Sequence, residues 1–192
     1  MKVNLDHVDT EKTNERSENF SSMSIKEAVE LMNQEDLFAV KCIESQYDKI
    51  TQTIEYVSEA LANGNRLRYI GAGTSGRLGV LDAAECPPTF GVVYDTVIGI
   101  MAGGENAFIH AEEGAEDHKE YGAEDLKNIN FQPGDVVVGI AASGRTPYVI
   151  GALEYAKSIG SKAIALVCTK NSPMKEVADI TIEAVPGPEV LT

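Results

Sequence analysis

The sequence predicts an α/β fold, a three-layer αβα sandwich with a five-stranded parallel sheet preceded by N-terminal helices. After Gly64, short apolar segments alternate with segments of helical period, which is the pattern of repeated strand–helix units. The apolar run Val136–Ala141 contains no polar alternation, which favours a strand covered on both faces. A chain of 192 residues, 43% of them hydrophobic, is long enough to form one such core.

Residues 1–63 are predicted to form an N-terminal arm and helices that pack on this core. Met1–Ser22 is polar and without period, so we expect an arm that orders only against a partner or another part of the fold. Ser24 and Glu27 have the spacing of a capping box, which predicts the start of a short helix. An apolar stripe over Glu35–Asn63 then predicts a long amphipathic helix whose stripe contacts the core or another subunit.

Residues 64–192 are predicted to form the sheet domain, with strands and helices in alternation. Strands are predicted at Arg66–Ile70, Val97–Met101, Asp135–Ala141, Lys162–Cys168 and Ile180–Val185. Helices are predicted at Arg77–Ala84, Glu105–Glu116, Ala123–Asn128, Pro147–Ile159 and Pro173–Ala178. In parallel sheets ligands bind beyond the carboxyl ends of the strands, so the loops after these strands are the candidate sites.

The loop Gly71–Gly76, which follows the first strand, has the composition of a phosphate-binding turn. Glycines allow the backbone to approach an anion, Thr74 and Ser75 add hydroxyl donors, and the next helix presents unpaired N–H groups. The loop lacks the lysine of a Walker motif and the third glycine of a dinucleotide motif. A glycine-rich turn that binds nothing is the alternative interpretation.

A second loop of the same kind follows the third strand. Ser143, Gly144 and Thr146 again offer hydroxyls and bare backbone where a strand turns into a helix. Two such loops on one sheet edge predict a single phosphate that is bound from both sides. Arg77 and Arg145 could supply positive charge to it, although each could equally be a surface arginine.

The charge of the chain limits its partners. A formal net charge of −14 opposes binding to nucleic acid or to an anionic membrane, so a small-molecule ligand is favoured. Cys42, Cys86 and Cys168 are far apart and lack metal-type spacing, so no metal site is predicted. No signal peptide or apolar run of membrane length is seen, and a reducing cytoplasm is the predicted location.

These motifs together resemble one known family. The run Gly71–Gly79, continued by Asp82–Pro88, is similar to the signature of the N-acetylmuramic acid 6-phosphate etherases, which contain a sugar isomerase (SIS) domain. Other similar stretches are Asn33–Asp36, Ile100–Glu105, Glu113–Asp117 and Ala142–Tyr148. The resemblance covers nearly the whole chain and implies an SIS-type sandwich that binds phosphosugars.

The resemblance also implies an activity. Members of this family are cytoplasmic lyases that cleave the lactyl ether of N-acetylmuramic acid 6-phosphate, giving N-acetylglucosamine 6-phosphate and D-lactate in the recycling of peptidoglycan. They work as homodimers without a metal or organic cofactor. Their two catalytic glutamates match Glu85 and Glu116. The residues alone leave both open, because Glu85 could be a solvated helix-end carboxylate and Glu116 lies in an acidic cluster typical of a solvated face.

The reaction suggests how two glutamates would share the work. A base must remove the proton from carbon 2, and an acid must protonate the departing lactate oxygen on carbon 3. Glu85 is expected at the end of helix Arg77–Ala84, before Pro87, where the helix dipole disfavours ionisation and favours the role of acid. Glu116 would then be the base.

One departure and two alternatives remain. The family continues through a donor-rich segment and a helical tail beyond Thr192, so the chain resembles a C-terminally truncated member, for which we expect little or no activity. A non-catalytic phosphosugar-binding regulatory protein would keep both hydroxyl loops, but it could lose the two glutamates. A ketose–aldose phosphosugar isomerase would share the loops but not the Glu85–Pro88 sequence.

Overall fold

The structure, a computed structural model, describes residues 12–191, and its centre is the predicted parallel sheet. The five strands are β1 (Leu67–Gly71), β2 (Val97–Met101), β3 (Val136–Ile140), β4 (Lys162–Val167) and β5 (Ile180–Glu183). They pair in parallel in the order β2-β1-β3-β4-β5. The predicted fold class is therefore confirmed, and each strand lies within two residues of its predicted bounds.

Seven α-helices are found within residues 12–191, and most of them cover the two faces of the sheet. They are α1 (Ile25–Lys41), α2 (Tyr47–Ala62), α3 (Gly73–Phe90), α4 (Asn106–Ile109), α5 (Lys119–Asn128), α6 (Pro147–Ser158) and α7 (Met174–Val177). One apolar cluster joins the sheet to α2 and α3, and a second joins it to α5, α6 and α7. In the part of the chain that the structure describes, no helix has the length and hydropathy to span a bilayer.

The N-terminal helices differ from the prediction in where they break. The first helix continues to Lys41, a 3-10 turn follows at Cys42–Gln46, and only then does α2 begin. The Gln46 side chain accepts a hydrogen bond of 3.0 Å from the backbone N–H of Glu183, on edge strand β5. The predicted continuous helix over Glu35–Asn63 is therefore wrong, because the chain turns at this point to lay α2 on the sheet.

Part of the predicted arm is ordered against another part of the fold. Asn14 is buried, and its side chain donates to Glu35 at 2.9 Å and to the Pro188 carbonyl at 3.3 Å. Arg16 also pairs with Glu35, at 2.7 Å. Residues 1–11 of the arm lie outside the described residues. The predicted domain boundary at residue 63 stays a prediction, while α2, on its N-terminal side, packs against the sheet.

A buried network of ion pairs joins the amino ends of β1 and β3, at the edge of the sheet opposite the candidate loops. Asp135 is fully buried and accepts hydrogen bonds from Arg66 at both the backbone N–H (2.9 Å) and the guanidinium (2.7 Å). The hydrogen bond to Asp135 raises the pKa of Arg66. Arg68, also fully buried, pairs with Asp95 at 2.8 Å. Because a buried charge is unfavourable without a partner, this network fixes the entry of the chain into β1 and β3.

Helices α5 and α6 approach so closely that their contact requires glycine. A Cβ atom placed on Gly122 would lie 1.9 Å from the Tyr148 carbonyl oxygen, and one on Gly151 would lie 1.8 Å from the Lys119 carbonyl oxygen. Burial, and then a hydrogen bond of 2.6 Å to Asp125, raise the pKa of Tyr148, whose phenol joins the two helices. Helices α5 and α6 therefore pack with their backbones in direct contact.

We expect Gly122→Ala to destabilise the protein by about 1–3 kcal/mol, because the added methyl group must separate two helices that have no free space between them. The expected loss already includes the stabilisation of roughly 1 kcal/mol that alanine gives a helix relative to glycine. Urea unfolding followed by circular dichroism measures it. Glu124→Ala, at an exposed position of the same helix, is the control and should change stability by less than about 0.5 kcal/mol. Equal stabilities for the two variants would contradict the close packing.

Candidate functional site

The two predicted loops begin side by side at one edge of the sheet. The last residue of β1, Gly71, is in register with Met101 at the end of β2 and with Ile140 at the end of β3. The segments that follow β1 and β3 therefore leave the sheet from neighbouring strands in the same direction. This shared edge, predicted from the sequence, is confirmed by the sheet topology.

The first loop is shorter than predicted, because α3 begins at Gly73 and not at Arg77. Thr74 and Ser75 therefore lie in the first turn of a helix. The N-cap residue is Ala72, whose side chain cannot cap, and the N–H groups of the first turn have no partner within the helix. An uncapped first turn with two hydroxyl side chains is a favourable place for an anion.

Gly76 has a packing role in the structure. It is buried, and a Cβ atom added to it would lie 2.7 Å from the Met101 Cβ and 2.8 Å from the Gly71 carbonyl oxygen. Its N–H donates to the Ala72 carbonyl at 3.1 Å. The glycine thus lets α3 lie directly on the strand ends, and its predicted contact with phosphate stays a prediction.

The second loop leads into the N-terminus of α6. Thr146 is the N-cap residue, but its side chain makes no capping hydrogen bond, and Pro147 occupies the first helical position. Gly144 is buried, and its backbone has a left-handed conformation with φ of 61°, which favours glycine. Ser143 and Arg145 are half-buried. A second uncapped helix N-terminus therefore lies beside the first at the same sheet edge.

A cleft of about 250 Å³ opens beside the start of α3. It is lined by Ala72, Gly73, Arg77, Met101, Ala102, Ala107, Ala111, Glu112, Glu113, Gly114 and Glu116. Arg77 donates from Nη2 to the Ala107 carbonyl and from Nε to the Phe108 carbonyl, each at 2.8 Å. The guanidinium thus fixes α4 to α3 and brings a positive charge to the wall of the cleft.

Glu116 lies in the cleft, on a different element from the one predicted. The predicted helix Glu105–Glu116 is wrong: α4 ends at Ile109, and Glu116 belongs to a 3-10 turn at Ala115–Asp117. Gly114, with φ of 80°, precedes this turn in a left-handed conformation that a helix excludes. Glu112 and Glu113 also line the cleft, and all three glutamates are exposed, so the acidic cluster is solvated and borders the cleft at the same time.

Glu85 is not among the residues that line this cleft. Helix α3 continues through Pro87 and Pro88 to Phe90, and it ends at Gly91 in the left-handed conformation. Glu85 is therefore inside the helix, so the predicted helix end beside it is wrong. Glu85 is twelve positions after Gly73, which is about 18 Å along the helix axis. Glu116 is among the residues that line the cleft, whereas Glu85 is not.

Fold and site together define a class of protein: an α/β domain in which two uncapped helix N-termini follow neighbouring strands at one edge of a parallel sheet, where a small anion can bind. Residues 49–157 match the family described as the glucokinase regulatory protein N-terminal SIS domain. The chain belongs to this SIS-domain family.

Two curated relatives confirm the resemblance found in the motifs. The chain is 58% identical over 188 residues to an N-acetylmuramic acid 6-phosphate etherase of Francisella tularensis subsp. holarctica (strain LVS), covering 98% of this chain and 64% of the relative. It is 50% identical over 190 residues to the enzyme of the same name from Clostridium botulinum (strain Hall), covering 99% of this chain and 63% of the relative. The chain thus spans slightly less than two thirds of these relatives.

A solved structure agrees with the fold. A phosphoheptose isomerase from Francisella tularensis superposes with a TM-score of 0.65 at 18% identity, over 88% of each chain. At this identity the likeness concerns the fold alone.

Proposed function

We propose that this chain carries the phosphosugar site of an N-acetylmuramic acid 6-phosphate etherase, a carbon–oxygen lyase that needs no cofactor. The observation that carries the proposal is the cleft at the sheet edge, which Glu116 lines together with Gly73 and Arg77 of α3. Relatives with this name are 50% and 58% identical over nearly the whole chain. We also infer a cytoplasmic location, to which the three free cysteines are suited.

The phosphate is proposed to bind between the two helix N-termini. The hydroxyl groups of Thr74, Ser75, Ser143 and Thr146 would donate hydrogen bonds, and the first N–H groups of α3 and α6 would add theirs. Arg77 supports this proposal with a positive charge at the cleft, and Gly76, Gly144 and Arg145 complete the proposed set. In a chain with a formal net charge of −14, such local donors are required to bind an anion.

The proposed reaction is an elimination followed by addition of water. Glu116 removes the proton from carbon 2 of the open-chain sugar, the carbon 3–oxygen bond breaks, and Glu85 protonates the departing lactate oxygen. Because Glu85 lies inside α3, its role as the acid is supported by its match to the family's glutamate and not by a helix end. Water then adds to carbon 3 of the double bond, and a proton returns to carbon 2. The products are N-acetylglucosamine 6-phosphate and D-lactate.

In a homodimer, Glu85 of one subunit could lie near Glu116 of the other. Glu85 lies on the exposed part of α3 together with Leu78, Leu81 and Phe90, which are 57%, 55% and 74% exposed. Helix α1 buries none of its residues, so a second apolar surface is uncovered. We propose that a second copy covers these surfaces and brings its Glu85 to the cleft that contains Glu116.

We expect N-acetylmuramic acid 6-phosphate to raise the melting temperature of the protein, because a ligand that binds only the folded state stabilises it by about 2.7 kcal/mol at 100 times its Kd. Unphosphorylated N-acetylmuramic acid should stabilise it much less, since it lacks the group for which the loops supply donors. Thermal unfolding with each sugar measures this difference. Equal shifts with both sugars would contradict the phosphate site.

An assay for lactate release then separates the enzyme from the regulatory alternative. It should be run on this chain and on a version with the length of the relatives. Release of D-lactate by the longer version supports the etherase. Stabilisation by the phosphosugar without lactate release from either version would favour a phosphosugar-binding regulatory protein.

A further inference from the structure

The buried hydroxyl groups of Thr169 and Ser172, in the segment next to the second loop, have no part in the chemistry proposed above. Thr169 and Ser172 lie between β4 and α7, and each is only 3% exposed. Neither Thr169 Oγ1 nor Ser172 Oγ has a hydrogen-bond partner among residues 12–191. Buried hydroxyl groups are almost always paired in folded proteins, so two without a protein partner, three positions apart in one short segment, require an explanation.

Their segment is joined to the second loop by the backbone. The N–H of Cys168 donates to the Ala142 carbonyl at 2.9 Å, and the N–H of Met174 donates to the Gly144 carbonyl at 3.1 Å. A Cβ atom added to Gly144 would lie 2.6 Å from Ser172 Oγ. The Ser172 hydroxyl thus rests directly against the backbone of the loop that is proposed to bind phosphate.

We propose that Ser172 and Thr169 are positioning residues for phosphosugar binding: their hydroxyl groups, which have no partner among residues 12–191, form hydrogen bonds to the loop when the anion draws Ser143–Thr146 into its bound conformation. This inference rests on the proposed function. The carbonyl oxygens of Ala142 and Gly144 are suitable acceptors, because each accepts one bond from this segment and has a second lone pair. Gly144 can adjust its backbone at low cost, since it has no side chain.

The free protein should tolerate the loss of either hydroxyl group. Removing an unpaired buried hydroxyl takes away a group that destabilises the free state, so the free protein should become no less stable. The same change removes a hydrogen bond from the ligand-bound state, so affinity should fall. A hydroxyl with a purely structural role would show the opposite pattern, with lower stability and unchanged affinity.

The test uses Ser172→Ala and, independently, Thr169→Val, with thermal unfolding of this chain in the presence of inorganic phosphate or N-acetylmuramic acid 6-phosphate. We expect melting temperatures without ligand that equal or exceed that of the unmodified protein. The Kd obtained from the ligand-dependent shifts should increase roughly three- to tenfold, as the loss of a net hydrogen bond implies.

Ser161→Ala is the matched control. Ser161 precedes β4 at the opposite edge of the sheet, is 4% exposed, and donates from Oγ to the Gln132 carbonyl at 3.0 Å. Its removal should lower the melting temperature without ligand and leave the Kd unchanged.

Unchanged Kd values in Ser172→Ala and Thr169→Val would overturn the inference, and so would a loss of free-protein stability as large as that of Ser161→Ala. If the unmodified protein itself responds to neither ligand, the proposed phosphate site fails, and the inference fails with it. That outcome is distinct from one in which the unmodified protein and the variants respond equally, which overturns the inference alone.

Discussion

Glu116→Gln should reduce lactate release by about 10²- to 10⁴-fold, because the amide cannot accept the proton from carbon 2. Glu116 lies in the cleft beside the start of α3, where the proposed phosphate contacts would place the sugar. Glu85→Gln should cause a loss of similar size, since the lactate oxygen would leave without a proton. Lactate release measured on a version with the length of the relatives tests both.

Solvent exchange distinguishes the two roles. In deuterium oxide, Glu116→Gln should lose exchange of the hydrogen on carbon 2, whereas Glu85→Gln should retain exchange although lactate is not released. Exchange that persists in Glu116→Gln and disappears in Glu85→Gln would reverse the assignment. Unchanged lactate release in both variants would contradict the mechanism.

Mixing the two variants tests whether each site uses two subunits. A hybrid dimer of Glu85→Gln and Glu116→Gln contains one site in which both glutamates are intact, so the mixture should regain activity that neither variant has alone. The separation of about 18 Å between Glu85 and the start of its own helix leads to this expectation. No recovery, in a mixture shown to contain hybrids, would indicate that both groups act within one subunit.

Asp135→Ala should destabilise the protein by about 3–5 kcal/mol, the usual result of removing one partner from a buried ion pair. Asp135 is fully buried and accepts hydrogen bonds from Arg66 and from the backbone N–H of Gln132. Its loss leaves the mostly buried guanidinium of Arg66 without its main partner. Urea unfolding measures the change.

The exposed pair Lys119–Glu154, with atoms 2.8 Å apart, provides the control for this prediction. Glu154→Ala should cost less than about 1 kcal/mol, because both side chains are in contact with water. A similar loss in the Asp135 and Glu154 variants would show that burial gives the Asp135 pair no special importance.

Much of the sheet could be predicted because buried parallel strands are mostly apolar. The runs Val136–Ile140 and Ala163–Val167 show this, and the bounds of β3 and β4 lie close to the prediction. The bounds of the helices were harder to predict from the sequence. The break at Cys42–Gln46 contains no proline or glycine, and it is fixed by a contact between Gln46 and β5 that is 137 residues away in the sequence.

The prolines after Glu85 illustrate the opposite error. Pro87 and Pro88 predicted the end of a helix, since proline lacks the N–H that a helix interior uses. The helix nevertheless continues to Phe90, and Gly91 ends it. Close packing of α3 on the sheet, which Gly76 and Gly79 permit, outweighs the missing hydrogen bonds.

The sequence by itself determined the parallel sheet, the two hydroxyl loops on one edge and the family resemblance, because these depend on local composition and on the fixed direction of parallel strands. Tertiary structure alone decided that Glu116 lies in the cleft, that Glu85 does not, and that Ser172 rests unpaired against Gly144. These are distances between residues far apart in the chain. They are set by how helices pack on the sheet, which no local pattern records.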